Sequence, residues 1–474
     1  MKENTIHQVV VPEIEKNNLI LESFEFNVNL TPFELFTSIS PENGWMFFDS
    51  SLNVEDYGKY SIIAPFPDSI IYFDGKNLYK IINEEKFILE GKPFDYLQKF
   101  LQEKRKFIDL NDQTINTFFG GFAGFISYDF GLRIENVISD KKPVTYVPEI
   151  YFGYFDSALI YNHEKRNYTA YSTNSVKKFL DRIFSRYTPT KKQKQSFQPT
   201  KFNSNFTKEE YINTVKKALN YIAEGEVYQI NLSQQFHCET ELHPLEIYNL
   251  LRQNNPAPFS ALIKINNSQW ILSTSPELFL KVKNGVVKTK PIKGTIQRGK
   301  TEEEDNQLKE KLHSSIKDNA ELLMIVDLER NDLGKVCKSG SVKVIHLKKV
   351  ETYKSVHHLV AEIEGELEEG KNIFDLLLAT FPGGSITGAP KKRAIEIIDE
   401  LEKCKRGIYT GSIGYISLNG DAMFNISIRT LYYENKQLFL GLGGGIVIDS
   451  NPEKEYEETI HKGKAIFESL SENE

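Results

Sequence analysis

Short β-type runs fill the first part of this sequence, and they constrain its fold more than any other feature. They are rich in aromatic and β-branched residues and are separated by Gly, Pro, Asn and Asp: GWMFFDS, KYSIIA, SIIYF, FGGFAGFISYDFG and IYFGYFDSALIYN. Runs of this composition between turn residues are typical of β-strands. The sequence therefore predicts a strand-rich N-terminal unit over residues 1–187.

A polar segment separates this unit from the rest of the chain. Residues 188–205 read TPTKKQKQSFQPTKFNSN, which is rich in Lys, Gln, Ser, Thr and Pro and has no apolar periodicity. This composition predicts an exposed linker. The basic cluster at 191–194 is also compatible with a nucleic-acid patch, although a solvated linker is the simpler interpretation.

The second unit, residues 206–474, begins with a predicted helix that is followed by a predicted strand. Thr207 and Glu210 form a capping-box pattern, apolar residues follow at helical spacing, and Gly225 ends the segment. Further helices are predicted at about 302–327, 372–380, 390–403 and 453–470, interleaved with strands such as FNISIRTLYY and QLFLGLGGGIV. Helices and strands are therefore mixed in this unit.

Composition excludes several classes of protein. The 58 basic and 65 acidic side chains leave a net charge of −7, so no global positive field favours nucleic acid. Three widely spaced cysteines fit neither a disulfide framework nor a zinc cluster. No stretch approaches eighteen uninterrupted apolar residues. We expect a cytoplasmic protein that binds neither membranes nor nucleic acid.

Polar residues share one face of the strand that follows Gly225. Gln229, Asn231 and Ser233 alternate with apolar residues, and alternate residues of a strand point to the same side. This face is either a solvated sheet surface or part of a functional site.

A second polar face lies on the last helix. Glu455, Glu458 and Lys462 follow one another at i, i+3 and i+7 and therefore share one side of the helix. By itself this is the pattern of a surface salt-bridge ladder. A functional site is favoured by Glu321 in DNAELLMIVDLERND, by Arg429 in the strand NISIRT, and by a predicted glycine loop at 443–445.

An ordered series of sequence words carries a resemblance to a known family. The words are EVYQINLS, STSPELF, KPIKGT, MIVDLERNDLG, VHHLV, FPGGSITGAPKKRAIEIIDELE, YTGSIGYIS, ISIRT and GGGIVIDS followed by EYEET. Residues from about 206 to 468 resemble the chorismate-binding domain shared by anthranilate synthase component I, aminodeoxychorismate synthase component I, and the isochorismate and salicylate synthases. Upstream, LILES, GKYSIIAPFP and FFGGFAGFISYDFG resemble the N-terminal domain of the first two members.

The resemblance implies an α/β (α+β) fold. In this fold two large antiparallel sheets pack face to face with helices outside, and the N-terminal and C-terminal segments interlock into one body.

One side chain decides which branch of the family this chain resembles. In the PIxGT word, aminodeoxychorismate synthases have Lys where the other branches usually have Ala, and this chain has Lys293. Gln229 points the same way, because isochorismate and salicylate synthases have a water-activating Lys there. The resemblance therefore favours aminodeoxychorismate synthase component I, which serves p-aminobenzoate and folate synthesis. The alternatives are anthranilate synthase component I, which also eliminates pyruvate, and a catalytically dead chorismate-binding protein.

The resemblance also implies the roles of the reacting groups. Glu277 is the expected general acid for the departing 4-hydroxyl of chorismate. Lys293 is the expected nucleophile at C2, and ammonia then attacks C4 and expels the lysine. An ordinary lysine with a pKa of about 10.4 is almost fully protonated near neutral pH. Burial or nearby positive charge must therefore lower the pKa of Lys293, and a solvent-facing strand lysine is the alternative interpretation.

A magnesium ion is the implied cofactor. By resemblance Glu321 and Glu458 bind Mg²⁺, and Glu455 supports it through water. Carboxylates suit this ion, which prefers oxygen ligands and keeps some of its waters.

Further residues are implied in substrate binding. Arg429 and Tyr409 are expected to hold the enolpyruvyl carboxylate, and Lys462 with the backbone around Gly444 the ring carboxylate. Thr295 and His358 match family positions that line the pocket. A hydrogen-bonded core histidine remains an alternative for His358, and we expect His357 to be structural.

The resemblance implies two further interactions. Family members receive ammonia from a glutamine amidotransferase, and we expect this partner to be a separate chain. The LILES segment with Ser23 resembles the part of anthranilate synthases that forms a tryptophan pocket. In this branch such a pocket holds tryptophan structurally, regulates nothing, or is empty.

Overall fold

The computed structural model describes residues 21–52, 57–106, 117–188, 200–353 and 356–471, and the backbone of three short strands outside these ranges. We number its elements in chain order. Helices α1 to α11 are Pro32–Ser38, Pro93–Arg105, Tyr128–Ile134, Val176–Phe184, Lys208–Ala223, Pro244–Asn254, Glu302–His313, Ile316–Gly334, Ile373–Thr380, Lys391–Leu401 and Pro452–Leu470, with a 3₁₀ turn at Gly384–Ile386.

Strands β1 to β27 are His7–Gln8, Leu19–Ile20, Glu22–Phe26, Met46–Asp49, Tyr60–Ala64, Ser69–Phe73, Leu78–Ile82, Glu85–Leu89, Ile108–Asp109, Gly121–Ile126, Ile150–Phe155, Ser157–Asn162, Asn167–Ser172, Asn203–Ser204, Gln229–Glu239, Phe259–Lys264, Gln269–Ser275, Leu278–Lys283, Val286–Lys290, Ile292–Gln297, Lys343–Thr352, Val356–Glu366, Gly388–Ala389, Ser412–Ser417, Ala422–Asn425, Thr430–Glu434 and Gln437–Ile446.

These strands form two large sheets. The first follows the order β1-β8-β7-β6-β11-β10-β24-β25-β18-β19-β22-β20, with β21 also paired to β22. The second follows β14-β15-β27-β26-β17-β16-β4-β5-β12-β13-β3, with β23 also paired to β15. All their described pairings are antiparallel except β1 with β8, so the predicted antiparallel sheets are confirmed.

Each sheet joins a block of strands from the N-terminal half of the sequence to a block from the C-terminal half. In the first sheet β10 pairs with β24, and Gly121 lies opposite Ser417. In the second β4 pairs with β16, and Phe48 lies opposite Ala261. The two halves therefore interlock, as expected. Residues 189–199 of the predicted linker lie outside the described residues, and β14 shows that its last part joins a sheet.

The core lies between the sheets and on both outer faces. Between them, Phe48 and Ile62 of the second sheet belong to one cluster with Phe125, Tyr151 and Tyr415 of the first. The outer face of the first sheet is covered by α2, α8 and α9, and that of the second by α1, α4, α6 and α11. Helices therefore flank two packed sheets, as predicted. None of the helices in the described ranges is long and apolar enough to cross a membrane.

Local structure differs from prediction in three places. The helix expected at 302–327 is two helices, because the Ser315 side chain accepts a hydrogen bond from the Asp318 N–H and starts α8 anew. The glycines at 443–445 lie inside β27 rather than in a loop. Arg429 is not in a strand: with φ of 50° it lies between β25 and β26. Each difference depends on contacts that local periodicity does not record.

Candidate active site

The predicted reacting groups meet beside a glycine-rich turn. Lys293 lies on edge strand β20, and Glu277 directly precedes β18. Ser385, in the 3₁₀ turn, joins them: its carbonyl accepts a hydrogen bond from Lys293 Nζ at 3.3 Å, and its side chain is hydrogen-bonded to Glu277. Ser385 was not predicted, because its only signal in the sequence is its place after two glycines.

The surroundings of Lys293 and Glu277 favour their uncharged forms. Burial lowers the pKa of Lys293, although the negative charges of Glu321 and Glu277 oppose this shift. Glu277 is 5% exposed, and burial raises its pKa against the opposing effects of Ser385 and Lys293. The structure thus places an amine and a carboxyl group close together with their protonation shifted toward neutrality.

Helices α8 and α11 supply a group of carboxylates. Burial raises the pKa values of Glu321 and Glu455, and the charge of Glu458 contributes to both shifts. Burial by itself would also raise the pKa of Glu458. Lys462 Nζ lies 2.8 Å from Glu458 Oε1, and its positive charge helps to outweigh burial, so the pKa of Glu458 is lowered. These electrostatic effects place the three carboxylates in one region.

The carboxylate region has oxygen atoms available for a cation. The Ser450 hydroxyl donates to Glu455 Oε1 at 2.6 Å, and Glu455 Oε2 is buried without a hydrogen-bond partner among the described residues. A Cβ at Gly444 would lie 3.4 Å from Glu455 Oε2 and 3.6 Å from Glu458 Oε1. No group of three or more His, Cys, Asp or Glu in the described part of the chain is placed so that it could hold a metal ion. Glu455 Oε2 and Glu458 Oε1 are oxygen atoms of the kind that Mg²⁺ prefers, and a site here would need further oxygen ligands from water or substrate.

Arg429 and Lys462 are the two cations predicted to bind the carboxylates of the substrate. Asn255 Oδ1 accepts from Arg429 Nη1 at 3.4 Å, and the Thr274 N–H donates to the Arg429 carbonyl at 3.1 Å. Burial lowers the pKa of Arg429, which still stays cationic. Lys462 Nζ donates to the Gly443 carbonyl at 3.0 Å. Asn255 was not predicted, since an asparagine in a loop carries no distinctive signal.

Tyr409 lies beneath the glycine strand β27. A side chain at Gly441 would collide with its ring, because a Cβ there would lie 2.2 Å from Tyr409 Cγ. At Gly443 a Cβ would lie 2.9 Å from the Tyr409 hydroxyl. The glycines of β27 therefore permit the close approach of this buried tyrosine.

His358 and Thr295 form a pair at the edge of the first sheet. Thr295 Oγ1 lies 2.8 Å from His358 Nδ1 across β20 and β22. Burial, and then the charge of Arg429, lowers the pKa of His358 to about 3, so this imidazole is neutral. His357 lies elsewhere, with Nε2 2.8 Å from Asp305 Oδ1, in the structural position expected for it.

The polar face of β15 is not a solvated sheet surface. Gln229 is 1% exposed, and Asn231 and Ser233 are each 7% exposed. Ser233 Oγ donates to Glu402 Oε1 at 2.8 Å, and Gln229 lies against Gly445 of β27, so other parts of the chain enclose this end of the strand. Of the two interpretations that the sequence left open, the structure excludes the solvated surface, and a role in the site stays a prediction.

Two other features lie apart from this centre. Ser23 is exposed on edge strand β3, opposite Tyr171, and is not brought to the other predicted residues. An open cavity of about 1090 Å³ is lined by Trp45, Tyr146 and Asp129 among others, and by none of the predicted site residues. The candidate site is therefore identified by the chemistry of its residues and not by the size of a cavity.

The comparisons with known proteins agree with this geometry. The family described as chorismate binding enzyme matches residues 55–468. Anthranilate synthase component 1 of Aquifex aeolicus is 37% identical over 93% of this chain and 92% of its own length. Aminodeoxychorismate synthase component 1 of Bacillus subtilis is 38% identical over 88% of this chain and 90% of its own length.

A solved structure extends the likeness. Anthranilate synthase component I from Streptococcus pneumoniae superposes with a TM-score of 0.77 at 30% identity, covering 88% of this chain and 93% of that protein. Because sequence and fold agree over nearly the whole chain, this protein belongs to the chorismate binding enzyme family and uses chorismate.

Proposed function

We propose that this chain is component I of an aminodeoxychorismate synthase, which converts chorismate and ammonia to 4-amino-4-deoxychorismate for p-aminobenzoate and folate synthesis. The observation that carries the proposal is Lys293. Its pKa is lowered, and Ser385 joins it to the carboxyl group of Glu277. A lysine in these surroundings is suited to covalent catalysis.

Glu277 acts as the general acid. Its raised pKa increases the fraction that still carries a proton at neutral pH. That proton passes to the 4-hydroxyl of chorismate, so the C4–O bond breaks and water leaves.

Lys293 acts as the nucleophile in the same step. Its uncharged amine adds at C2, both ring double bonds shift to C1=C6 and C4=C5, and the C4–O bond breaks. Ammonia then attacks C4, both double bonds shift back, and the C2–N bond breaks with its electron pair returning to Lys293. The incoming nitrogen sheds the proton that restores Glu277, so one ammonia enters and one water leaves.

Glu321, Glu458 and Glu455 would hold Mg²⁺. The unpartnered Glu455 Oε2 and the room at Gly444 support this assignment. The ion supplies positive charge that offsets the negative charge of the bound substrate. Lys462 and Arg429 provide the protein's own positive charges for the two carboxylates of chorismate.

A separate glutamine amidotransferase is the proposed partner. The relatives from A. aeolicus and B. subtilis are both named component 1, which supports a second component. The purified chain should therefore turn over chorismate with ammonium and Mg²⁺ but not with glutamine alone.

Anthranilate synthase component I is the second candidate function. The relative from A. aeolicus and the solved structure from S. pneumoniae both carry that name. The two reactions differ in pyruvate elimination, so product analysis by mass spectrometry separates them. We expect aminodeoxychorismate that keeps its enolpyruvyl group; anthranilate with free pyruvate would overturn the proposed branch.

A further inference from the structure

A buried ion pair lies beside the turn that contains Ser385. Glu402 and Arg406 follow α10 at i and i+4, and their side chains are 6% and 2% exposed. Arg406 Nη2 and Nε donate to the two carboxylate oxygens of Glu402 at 2.7 and 3.0 Å. Removing two charges from water costs free energy that their attraction often does not recover, so a pair in this position calls for an explanation.

The guanidinium group of Arg406 also reaches two other parts of the chain. Nη1 donates to the Ile386 carbonyl at 3.0 Å, and Nη2 donates to the Asn231 carbonyl at 2.7 Å. Glu402 in turn accepts from the Ser233 N–H and hydroxyl, both at 2.8 Å. The pair is therefore anchored on β15 and holds the carbonyl of Ile386, the last residue of the 3₁₀ turn.

Ser385 comes directly before Ile386 in this turn. Its carbonyl accepts from Lys293 Nζ at 3.3 Å, and its side chain is hydrogen-bonded to Glu277. Because only two soft backbone dihedrals separate neighbouring peptide groups, a hydrogen bond that fixes the Ile386 carbonyl also restricts the carbonyl of Ser385. Arg406 is thus connected to both reacting groups through one residue.

The start of the turn is held by close packing. A Cβ at Gly383 would lie 2.8 Å from Ile426 Cδ1, and a Cβ at Gly384 would lie 2.5 Å from Leu328 Cδ2. Packing before Ser385 and the ion pair after it therefore leave this residue between two fixed points.

We propose that Arg406 is a positioning residue for the reaction. Its hydrogen bond to the Ile386 carbonyl holds Ser385 in place between the two reacting groups. The described hydrogen bonds of Arg406 go to neither reacting group, so it acts on them only through the turn. This inference rests on the proposed function only in taking Glu277 as the acid on which the rate depends, and it holds for either product.

The expected consequence concerns the protonation of Glu277. Its hydrogen bond with Ser385 lowers the pKa of Glu277, against the larger effect of burial. In a turn that is no longer held, this bond weakens and the pKa of Glu277 rises further, so the alkaline decline of the rate moves to higher pH. The titratable groups that face Glu277 are Lys293 on β20, Lys462 on α11 and Glu329 on α8, and substitutions in the ion pair leave all three in place.

The pH profile of kcat for Arg406→Lys tests this role. Lysine keeps the positive charge beside Glu402 but cannot reproduce the fork of hydrogen bonds that the guanidinium makes. With the full chain, chorismate, Mg²⁺ and saturating ammonia, kcat should fall about tenfold, and the alkaline decline should move to higher pH. In a Ser385→Ala background the same substitution should not move the decline, because the hydrogen bond to Glu277 is already absent.

Glu402→Gln/Arg406→Met keeps the test decisive if the lysine variant fails to fold. It removes both charges of the buried pair together, so neither is left uncompensated. It should move the alkaline decline in the same direction as Arg406→Lys. A decline that stays at its wild-type pH in the folded variants, or that moves equally in the Ser385→Ala background, would overturn the positioning role.

Arg252→Lys is the matched control. Arg252 Nε lies 2.7 Å from Asp49 Oδ2, with side chains 21% and 1% exposed, and this pair joins α6 to β4. The variant should leave the alkaline decline at its wild-type pH. An equal shift in this control would also overturn the positioning role. A wild-type chain without activity, or without an alkaline decline, would instead overturn the proposed function.

Discussion

Two lysine–glutamate pairs in this protein behave in opposite ways. Lys293 and Glu277 lie near each other around Ser385, and burial lowers the pKa of the lysine and raises that of the glutamate. Lys462 and Glu458 form an ion pair at 2.8 Å, with each side chain 46% exposed, and the lysine lowers the pKa of the glutamate. The same residue types are thus suited to proton transfer and covalent chemistry in one region, and to binding charge in the other.

The largest effect is expected from Lys293→Met. Methionine has a similar shape but no nucleophile, so kcat with ammonium should fall about a thousandfold. Lys288→Met, on β19, is the control, because Lys288 pairs with Glu362 and Glu364, neither of which is a predicted site residue. The control should stay within twofold of wild type. Near-normal turnover by Lys293→Met would show that Lys293 is not the nucleophile. The two lysine–glutamate pairs would then not differ in function.

Glu277→Gln should lower kcat about a hundredfold, since a glutamine cannot protonate the leaving hydroxyl. Glu277 must be in its acid form, so wild-type activity falls as pH rises through its raised pKa. Lys293 must be uncharged, so activity also falls as pH drops through its lowered pKa. In Glu277→Gln, the pH profile of the rate at saturating ammonia should lose its alkaline decline and keep its acid decline. A retained alkaline decline would assign it to another group.

Glu458→Gln should raise the Mg²⁺ concentration needed for half-maximal activity about 10- to 100-fold. Glu468→Gln is matched to it, because Glu468 pairs with Lys464 at i,i+4 on the same helix but is 64% exposed. Both variants are checked by titrating Mg²⁺ into protein from which metal has been removed with a chelator. Equal effects of the two substitutions would mean that the Glu458 pair is only a surface ion pair.

The smallest effects concern stability. A lysine whose pKa is lower in the folded than in the unfolded chain destabilises the fold at every pH below its unfolded pKa. Lys293→Met should therefore raise the free energy of unfolding by about 1 kcal/mol at pH 7. Lys462→Met should change it by less than about 1 kcal/mol, because exposed ion pairs contribute little. A calorimetric measurement in which Lys293→Met is less stable than the wild type would contradict the argument from burial.

Local signals in the sequence predicted local structure well. The Thr207 and Glu210 side chains form the expected capping box, and α5 ends two residues before Gly225. The two large sheets followed only from the family resemblance, because partners such as Phe48 and Ala261 are more than 200 residues apart. Pairing at such distances leaves no periodic trace in either strand.

The site was predictable as a set of residues, but its environment was not. The family motifs contain Glu277, Lys293, Glu321 and Glu458, and the structure brings these four residues together. Their protonation depends on burial, which short sequence words do not encode. The contribution of Ser385 likewise depends on a turn that folds against two strands from other parts of the chain.

Mass spectrometry of the digested protein tests the central claim most directly. The chain is mixed with chorismate and Mg²⁺ in the absence of ammonia, quenched in acid and digested. An uncharged Lys293 should capture the substrate, giving a mass increase of one chorismate less one water on the peptide that contains this lysine. An unmodified Lys293 in an enzyme that turns over with ammonium would contradict covalent catalysis.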